Sequence, residues 1–320
     1  MIDPFGRKIE YMRVSVTDRC DLRCRYCMPK GINRLPSADI LTFEEIAEVC
    51  AAAASLGIKY IRLTGGEPLA RLGIEKLAAM IKNIDGIERL TMTTNGVTLE
   101  RKLPELIAAG LDGVNISLDT LDRDMYKSIT GFDCLEAVLK SIDAACEMGI
   151  KVKINAVVLK ETLGGVMDIV SLARDRNIDV RFIEMMPIGE GAAFESISCD
   201  RVIEIIKDSY PNIKSTETSD GRGPARYYHI DGFAGNIGFI DAVHNSFCNS
   251  CNRIRLTSTG FLKPCLCYGD GVDLRDKFRN GSSAEVKAAI EKAVAKKPEG
   301  HCFADKGSVS ERRDMFRIGG

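Results

Sequence analysis

Seven cysteines carry most of the chemistry that this sequence can do. Cys20, Cys24 and Cys27 stand in a C-x3-C-x2-C run, while Cys248, Cys251, Cys265 and Cys267 form a second group, C-x2-C followed by C-x-C. Three thiolates at the first spacing suit three irons of a [4Fe–4S] cluster and leave the fourth iron without a protein donor, free for a substrate or cofactor. A structural zinc takes four protein ligands, and no fourth Cys or His lies near the first group in sequence. The second group reads two ways. Four thiols fit a zinc ribbon, and three of them (Cys248, Cys251 and Cys265 by spacing) fit another cluster with an open iron. Twelve cysteines among 320 residues is many for a reducing compartment, where surplus thiols bind metal or do redox chemistry. The remaining five, Cys50, Cys134, Cys146, Cys199 and Cys302, sit among apolar or helical neighbours and are expected to be small buried hydrophobes.

Other residues stand out against their surroundings. Thr64-Gly65-Gly66-Glu67-Pro68 offers two glycines that let a ligand approach the backbone, and a carboxylate that can accept from an ammonium. Arg253 and Arg255 alternate, so on a strand they share a face, and paired guanidinium forks suit phosphate oxygens. Arg13, Arg62 and Lys153 place charge inside apolar strand-like runs, a conflict unless they face a polar cavity. His229, His244 and His301 lack any zinc-hydrolase spacing, and structural or surface roles are expected for them. Gly-Gly-Glu-Pro is not a Walker-type phosphate loop.

These residues need elements to position them. Short β-branched runs at 11–16, 59–63, 89–93, 113–118, 152–159 and 180–185 alternate with amphipathic stretches. The helices are expected at 43–55 (opened by a Thr42/Glu45 capping box), 74–83, 100–109, 134–148, 166–176 and 199–209. Six βα units in series imply parallel strands with right-handed crossovers. That is two short of a closed (β/α)8 barrel, so we expect an α/β fold, an incomplete (β/α)6 TIM-like barrel, with the chemistry at the strand C-termini. Residues 1–214 would form this barrel. Residues 215–320 would form a smaller region covering its open side, with a loop or lid at 215–223, strand-like runs at 225–230 and 233–240, a helix at 283–295 and a loosely ordered tail from 300 onward.

Composition removes several classes. Lys and Arg total 44 against 45 Asp and Glu, so no basic field points to nucleic acid. No apolar run approaches the ~20 residues that span a bilayer, and the first residues lack a secretory h-region, so a cytoplasmic protein is expected.

The first cysteine run and the Gly-Gly-Glu-Pro loop together resemble the radical S-adenosylmethionine (SAM) superfamily over about the first 210 residues. The resemblance implies that the vacant iron chelates the amino and carboxylate groups of SAM, and that one-electron reduction yields a 5′-deoxyadenosyl radical. It also implies SAM contacts at Tyr26, Gly66, Glu67, Ser117 and Met186. The C-x2-C-x13-C spacing, the Arg253/Arg255 pair and the closing Gly319-Gly320 resemble the GTP 3′,8-cyclase family of molybdenum cofactor biosynthesis. That implies a second [4Fe–4S] cluster on Cys248, Cys251 and Cys265 whose open iron takes the guanine base. GTP would be held by Arg13, Arg62, Thr93, Lys153, Arg253 and Arg255, the five cations offsetting the triphosphate charge. Arg253, Arg255, Gly319 and Gly320 would take part in catalysis, with the Gly-Gly pair reaching into the site. Partners implied are a one-electron donor such as flavodoxin or ferredoxin, cyclic pyranopterin monophosphate synthase as the next enzyme, and a homodimer. Cys267 and Asp21 depart from the family pattern, and Cys267 leaves the third ligand of the second group open. Two other readings stand beside this one: a radical SAM enzyme acting on a peptide or other small molecule with an electron-transfer second cluster, and a non-catalytic zinc or iron–sulfur protein.

Overall fold

Alternation along each of the first six strands sends apolar side chains outward to helices and leaves polar ones inside. In the computed structural model, which describes residues 1–28, 31–32, 34–217 and 223–319, these strands are β1 (Tyr11–Ser15), β2 (Tyr60–Thr64), β3 (Arg89–Thr94), β4 (Gly113–Ser117), β5 (Lys151–Val157) and β6 (Ile178–Ile183). Met12 and Val14 of β1, Ile61 and Leu63 of β2, and Leu90 and Met92 of β3 are fully buried outward. They pack in one continuous apolar cluster with α1 (Phe43–Ser55), α2 (Ile74–Lys82), α3 (Leu99–Ala108), α5 (Leu135–Glu147), α6 (Val166–Ser171) and α7 (Cys199–Ser209). The expected capping box opens α1: Glu45 N donates to Thr42 Oγ1 at 3.2 Å, and Thr42 N donates to Glu45 Oε2 at 2.8 Å.

A short helix between β4 and α5, α4 (Arg123–Thr130), was not anticipated from the sequence. Its local signals are present, since Met125 N donates to the Asp122 carboxylate and Gly131 ends the helix, but eight residues with few apolar positions give no visible period.

The later part of the chain does not sit apart from the sheet. It supplies β7 (Lys214–Thr216), β8 (Arg226–His229), β9 (Ile237–Ile240), β10 (Arg253–Leu256), β11 (Phe261–Lys263) and β12 (Val272–Asp273) to one twelve-stranded sheet. β10 runs parallel beside β1 and β9 parallel beside β6, with β11–β12 and β8–β7 continuing antiparallel outside them. Eight neighbouring strands are therefore parallel, and the sheet does not close among the described residues. Helices α8 (Arg275–Arg279) and α9 (Ser283–Ala295) complete the elements, α9 packing on α1. The expected lid begins as strand β7, and its residues 218–222 lie outside those described. No helix among the described residues is long and apolar enough to cross a membrane.

The expectation of a loose tail is corrected. Phe303, Val309, Phe316 and Ile318 are buried, with Ile318 fully enclosed, and all but Phe316 belong to a second, smaller apolar cluster with Ile188 and Cys267. Glu311 fastens this segment: it accepts from buried Lys263, from Arg313 Nε at 2.9 Å and from the Arg312 and Arg313 backbone amides. A tail rich in charge reads as solvated in sequence because its partners lie on β11, some fifty residues earlier. Glu311→Ala leaves Lys263 charged, buried and unpaired, which is expected to cost roughly 3–5 kcal/mol, whereas Lys263→Met with Glu311→Leu recovers most of it. Thermal melts of the three proteins check this, and equal destabilisation by the single and double variants would remove the ion pair from the account.

Candidate active site

Polar residues on the inner face leave the barrel unfilled. A cavity of about 720 Å³ lies there, and both thiol triads line it: Cys20, Cys24 and Cys27 from the loop after β1, and Cys248, Cys251 and Cys265 from the segments flanking β10 and β11. The first loop is held by local turns, Cys27 N and Met28 N both donating to Cys24 O, and by Arg23 N and Arg25 N donating to carbonyls at the end of α4. Burial raises the Cys20 and Cys27 thiols to about 12 and also lifts Cys24.

The sulfur geometry bears on what the triads could hold. One tetrahedral zinc about 2.3 Å from each sulfur would hold them ~3.8 Å apart. Among the described residues, the one group of three ligand atoms within 4.8 Å of one another is Glu184, Cys199 and Asp241, so neither triad closes on a single ion. Three thiols spread around a cavity fit a larger group such as an iron–sulfur cluster. The Glu184 group is structural. Its carboxylates accept from Cys199 N, Val243 N, His244 N and Arg226.

The Gly-Gly-Glu-Pro loop lies against the first triad's loop. A Cβ on Gly66 would sit 2.3 Å from Arg19 O, and one on Gly65 2.7 Å from Thr17 O, so only glycine permits the approach. Glu67, expected to contact SAM, lines the cavity and is also tied into the protein. Fully enclosed, its carboxylate accepts from Leu69 N (2.9 Å), Thr94 Oγ1 (2.8 Å) and Asn95 N (2.7 Å), tying the loop after β2 to that after β3. Burial lifts its pKa to about 7, against the pull of those hydrogen bonds. Tyr26, Ser117 and Met186 line the same cavity, with Tyr26 OH donating to Asp119 at 2.7 Å.

Across the cavity stands a row of cations. Arg255 on β10, Arg13 on β1 and Arg62 on β2 are register neighbours pointing inward. Burial and the charges of Arg255 and Arg62 hold the Arg13 guanidinium well below its usual range. Burial lowers Arg62 too, and burial with Arg253 brings Arg255 to about 10. Arg13 Nε and Thr93 Oγ1 are buried without a hydrogen-bond partner among the described residues. Unpartnered donors beside repelling cations are the signature of a site built for an anion. Lys153 lines the cavity as expected but shares its charge with Asp179 at 3.3 Å, so it is not a free counter-charge.

The second triad is braced from places the sequence does not flag. Arg7 donates to Cys248 O, Glu299 O and Pro298 O, while buried Lys297 donates to Arg253 O and Pro264 O. His301, expected to be structural or surface, lines the cavity; its backbone N donates to Cys248 Sγ at 3.3 Å, and its ring lies tilted by 31° against that of Phe303. Burial works to raise both Cys248 and Cys251, but hydrogen bonds centred on His301 bring Cys248 to about 7, and the charges of Arg253 and Lys297 bring Cys251 to about 6. Cys265 faces the cavity, whereas Cys267 is fully buried away from it with its sulfur 3.2 Å from that of Cys302. Geometry therefore favours Cys265 as the third donor. Gly319 lies at the other end of the arginine row, by the C-termini of β1 and β2: Arg255 Nη1 donates to Gly319 O at 3.0 Å, and a Cβ there would meet Thr64 Oγ1 at 2.8 Å. Gly320 lies outside the described residues.

Comparison with known proteins adds to this geometry. The radical SAM superfamily model matches residues 14–187, and the molybdenum cofactor synthesis C model residues 178–303. The chain is 46% identical over 323 residues to the GTP 3′,8-cyclase of Clostridium perfringens (strain 13 / Type A), covering 100% of both chains. It is 42% identical over 326 residues to the GTP 3′,8-cyclase of Petrotoga mobilis, again over 100% of both. Among solved structures, Streptococcus suis SuiB bound to S-adenosylmethionine superposes with a TM-score of 0.63 at 17% identity, over 97% of this chain and 77% of SuiB. The AdoMet-bound anSMEcpe gives 0.59 at 15% identity, over 92% and 79%. At such identity these two share the fold alone.

If the arginine row is an anion site, removing one cation should relieve the ligand-free protein. Arg13→Met is expected to raise its melting temperature by ~1–3 °C. The same change should weaken binding of inorganic tripolyphosphate about tenfold. Calorimetry and a binding titration read both, and a lower melting temperature with unchanged affinity would refute the assignment.

Proposed function

The chain belongs to the radical SAM superfamily and, within it, to the GTP 3′,8-cyclases; from that membership we propose how its cavity serves the reaction. The enzyme converts GTP to (8S)-3′,8-cyclo-7,8-dihydroguanosine 5′-triphosphate, the first step of molybdenum cofactor biosynthesis, using a [4Fe–4S] cluster and SAM. The observation that carries the reading of the site is that both thiol triads and the arginine row line one cavity.

Cys20, Cys24 and Cys27 would hold the first cluster, with Tyr26, Gly66, Glu67, Ser117 and Met186 around SAM, Glu67 also bracing the loop on which it sits. When bound, cluster and SAM together supply a carbon radical able to take hydrogen from C3′ of the ribose. Cys248, Cys251 and Cys265 would hold a second [4Fe–4S] cluster, which would supply an open iron for the guanine base. Arg13, Arg62 and Arg255 receive the triphosphate, whose charge ends their mutual repulsion, and Thr93 supplies a hydroxyl to the nucleotide. Arg253 stands at the same wall, its guanidinium 4.7 Å from the Phe247 ring centre. Lys153 is the weaker of the cations here because Asp179 already shares it. Nucleotide anchored at both ends leaves the ribose between the two triads, the arrangement that C3′–C8 bond formation needs. Arg255 joins Gly319 to the phosphate site, so substrate and tail report on one side chain. Gly319 and Gly320 act with Arg253 and Arg255 in readying the site. The enclosing strands exclude water and thiols from the radical. A cytoplasmic setting, a flavodoxin- or ferredoxin-like electron donor, a homodimeric state and hand-over of product to cyclic pyranopterin monophosphate synthase complete the proposal.

Two measurements test it. Anaerobically reconstituted chain should release 5′-deoxyadenosine from SAM and reductant in a GTP-dependent manner. Cys251→Ala should lower bound iron from about eight to about four per chain, keep SAM binding and abolish cyclisation. A variant retaining the full iron content, or one that still cyclises GTP, would defeat the second-cluster assignment.

A further inference from the structure

Of the cysteines outside the two triads, Cys267 and Cys302 are the pair brought into contact with each other. Their sulfurs stand 3.2 Å apart, and Cys302 N donates to Cys267 Sγ at 3.4 Å. Both are free thiols, Cys267 buried and Cys302 partly accessible. The sulfurs need approach only to the bonded ~2.05 Å, a shift on the scale of a rotamer adjustment. The segments that meet there are already cross-tied. Tyr268 OH donates to Gly300 O, Glu311 N to Cys267 O, and Arg313 Nη2 to Gly269 O. Cys267 is thus the point where the loop after β11, the segment containing His301 and the tail leading to Gly319 converge.

We propose that Cys267 and Cys302 form a reversible disulfide that clamps the tail to the loop carrying Cys265. The oxidant is a small-molecule disulfide. One thiolate displaces a thiol from it to give a mixed disulfide, and the second cysteine displaces the other thiol. Two protein thiols become one disulfide as the reagent's S–S bond is reduced to two thiols, so atoms and electrons balance. A dithiol supplied by the cell reverses the exchange. The pair requires nothing of the thiol triads, so this inference stands apart from the reading of what they hold.

The test uses the full reconstituted chain, kept anaerobic and equilibrated in glutathione buffers from fully reduced to fully oxidised. Acid quench, differential alkylation and peptide mapping then read the thiols. The expected result is a Cys267–Cys302 cross-link that rises with oxidised glutathione and vanishes with dithiothreitol. Proteolysis after Arg312 and Arg313 should slow several-fold in the oxidised form. Cys302→Ser, at the more accessible position, should abolish both the cross-link and the slowing. Glutathione on Cys302 without a cross-link, two free thiols in fully oxidised buffer, or a cross-link with unchanged proteolysis would each overturn the proposal. The wild-type mapping alone decides whether the bond forms, whatever the variant's folding.

Discussion

Cations that repel one another are held side by side inside this protein, and much of the architecture serves to keep them there. Arg255, Arg13 and Arg62 share a register across three adjacent parallel strands. No backbone slip separates them, because a one-residue shift would turn every apolar side chain of those strands into the cavity. The outward layer of Met12, Val14, Ile61 and Leu63 therefore fixes the inward row. Stability comes from one face of the strand and is spent on the other.

The same logic explains why the barrel is hollow. A closed barrel of this type fills its interior with branched apolar layers. Here the interior positions are Arg, Thr, Asn and Lys, whose mutual packing cannot exclude a ligand, and two thiol triads line the space they leave. Glu67 shows how the rim is held: one buried carboxylate collects donors from two loops and so sets the distance between them. At the other rim Arg7 and Lys297 do comparable work by gathering backbone carbonyls around the second triad.

Much of this was legible in the residues. Cysteine spacing, the glycine pair and cations inside apolar strands are local patterns with few alternative meanings, and the βα alternation follows from hydrophobic period. Arg7, Lys297 and His301 carried no such mark. Lys297 sits in a Lys-Lys-Pro run that reads as solvent-facing, and only tertiary contact shows it buried. Tail order was misjudged for the same reason, since the Lys263–Glu311 pair joins residues far apart in sequence. The type and position of Glu67 suggest a ligand contact, while its hydrogen bonds to the loop after β3 are visible only in three dimensions.

The placement of β9 and β10 has a consequence for synthesis. β1 and β6 are the edges of the six-strand repeat, and both find their outer neighbours only in residues 237–256. A nascent chain emerging from the ribosome with its first two hundred residues complete would present two unpaired strand edges of buried character. Such edges invite intermolecular pairing. The sheet therefore cannot be completed until residues 237–256 have been made.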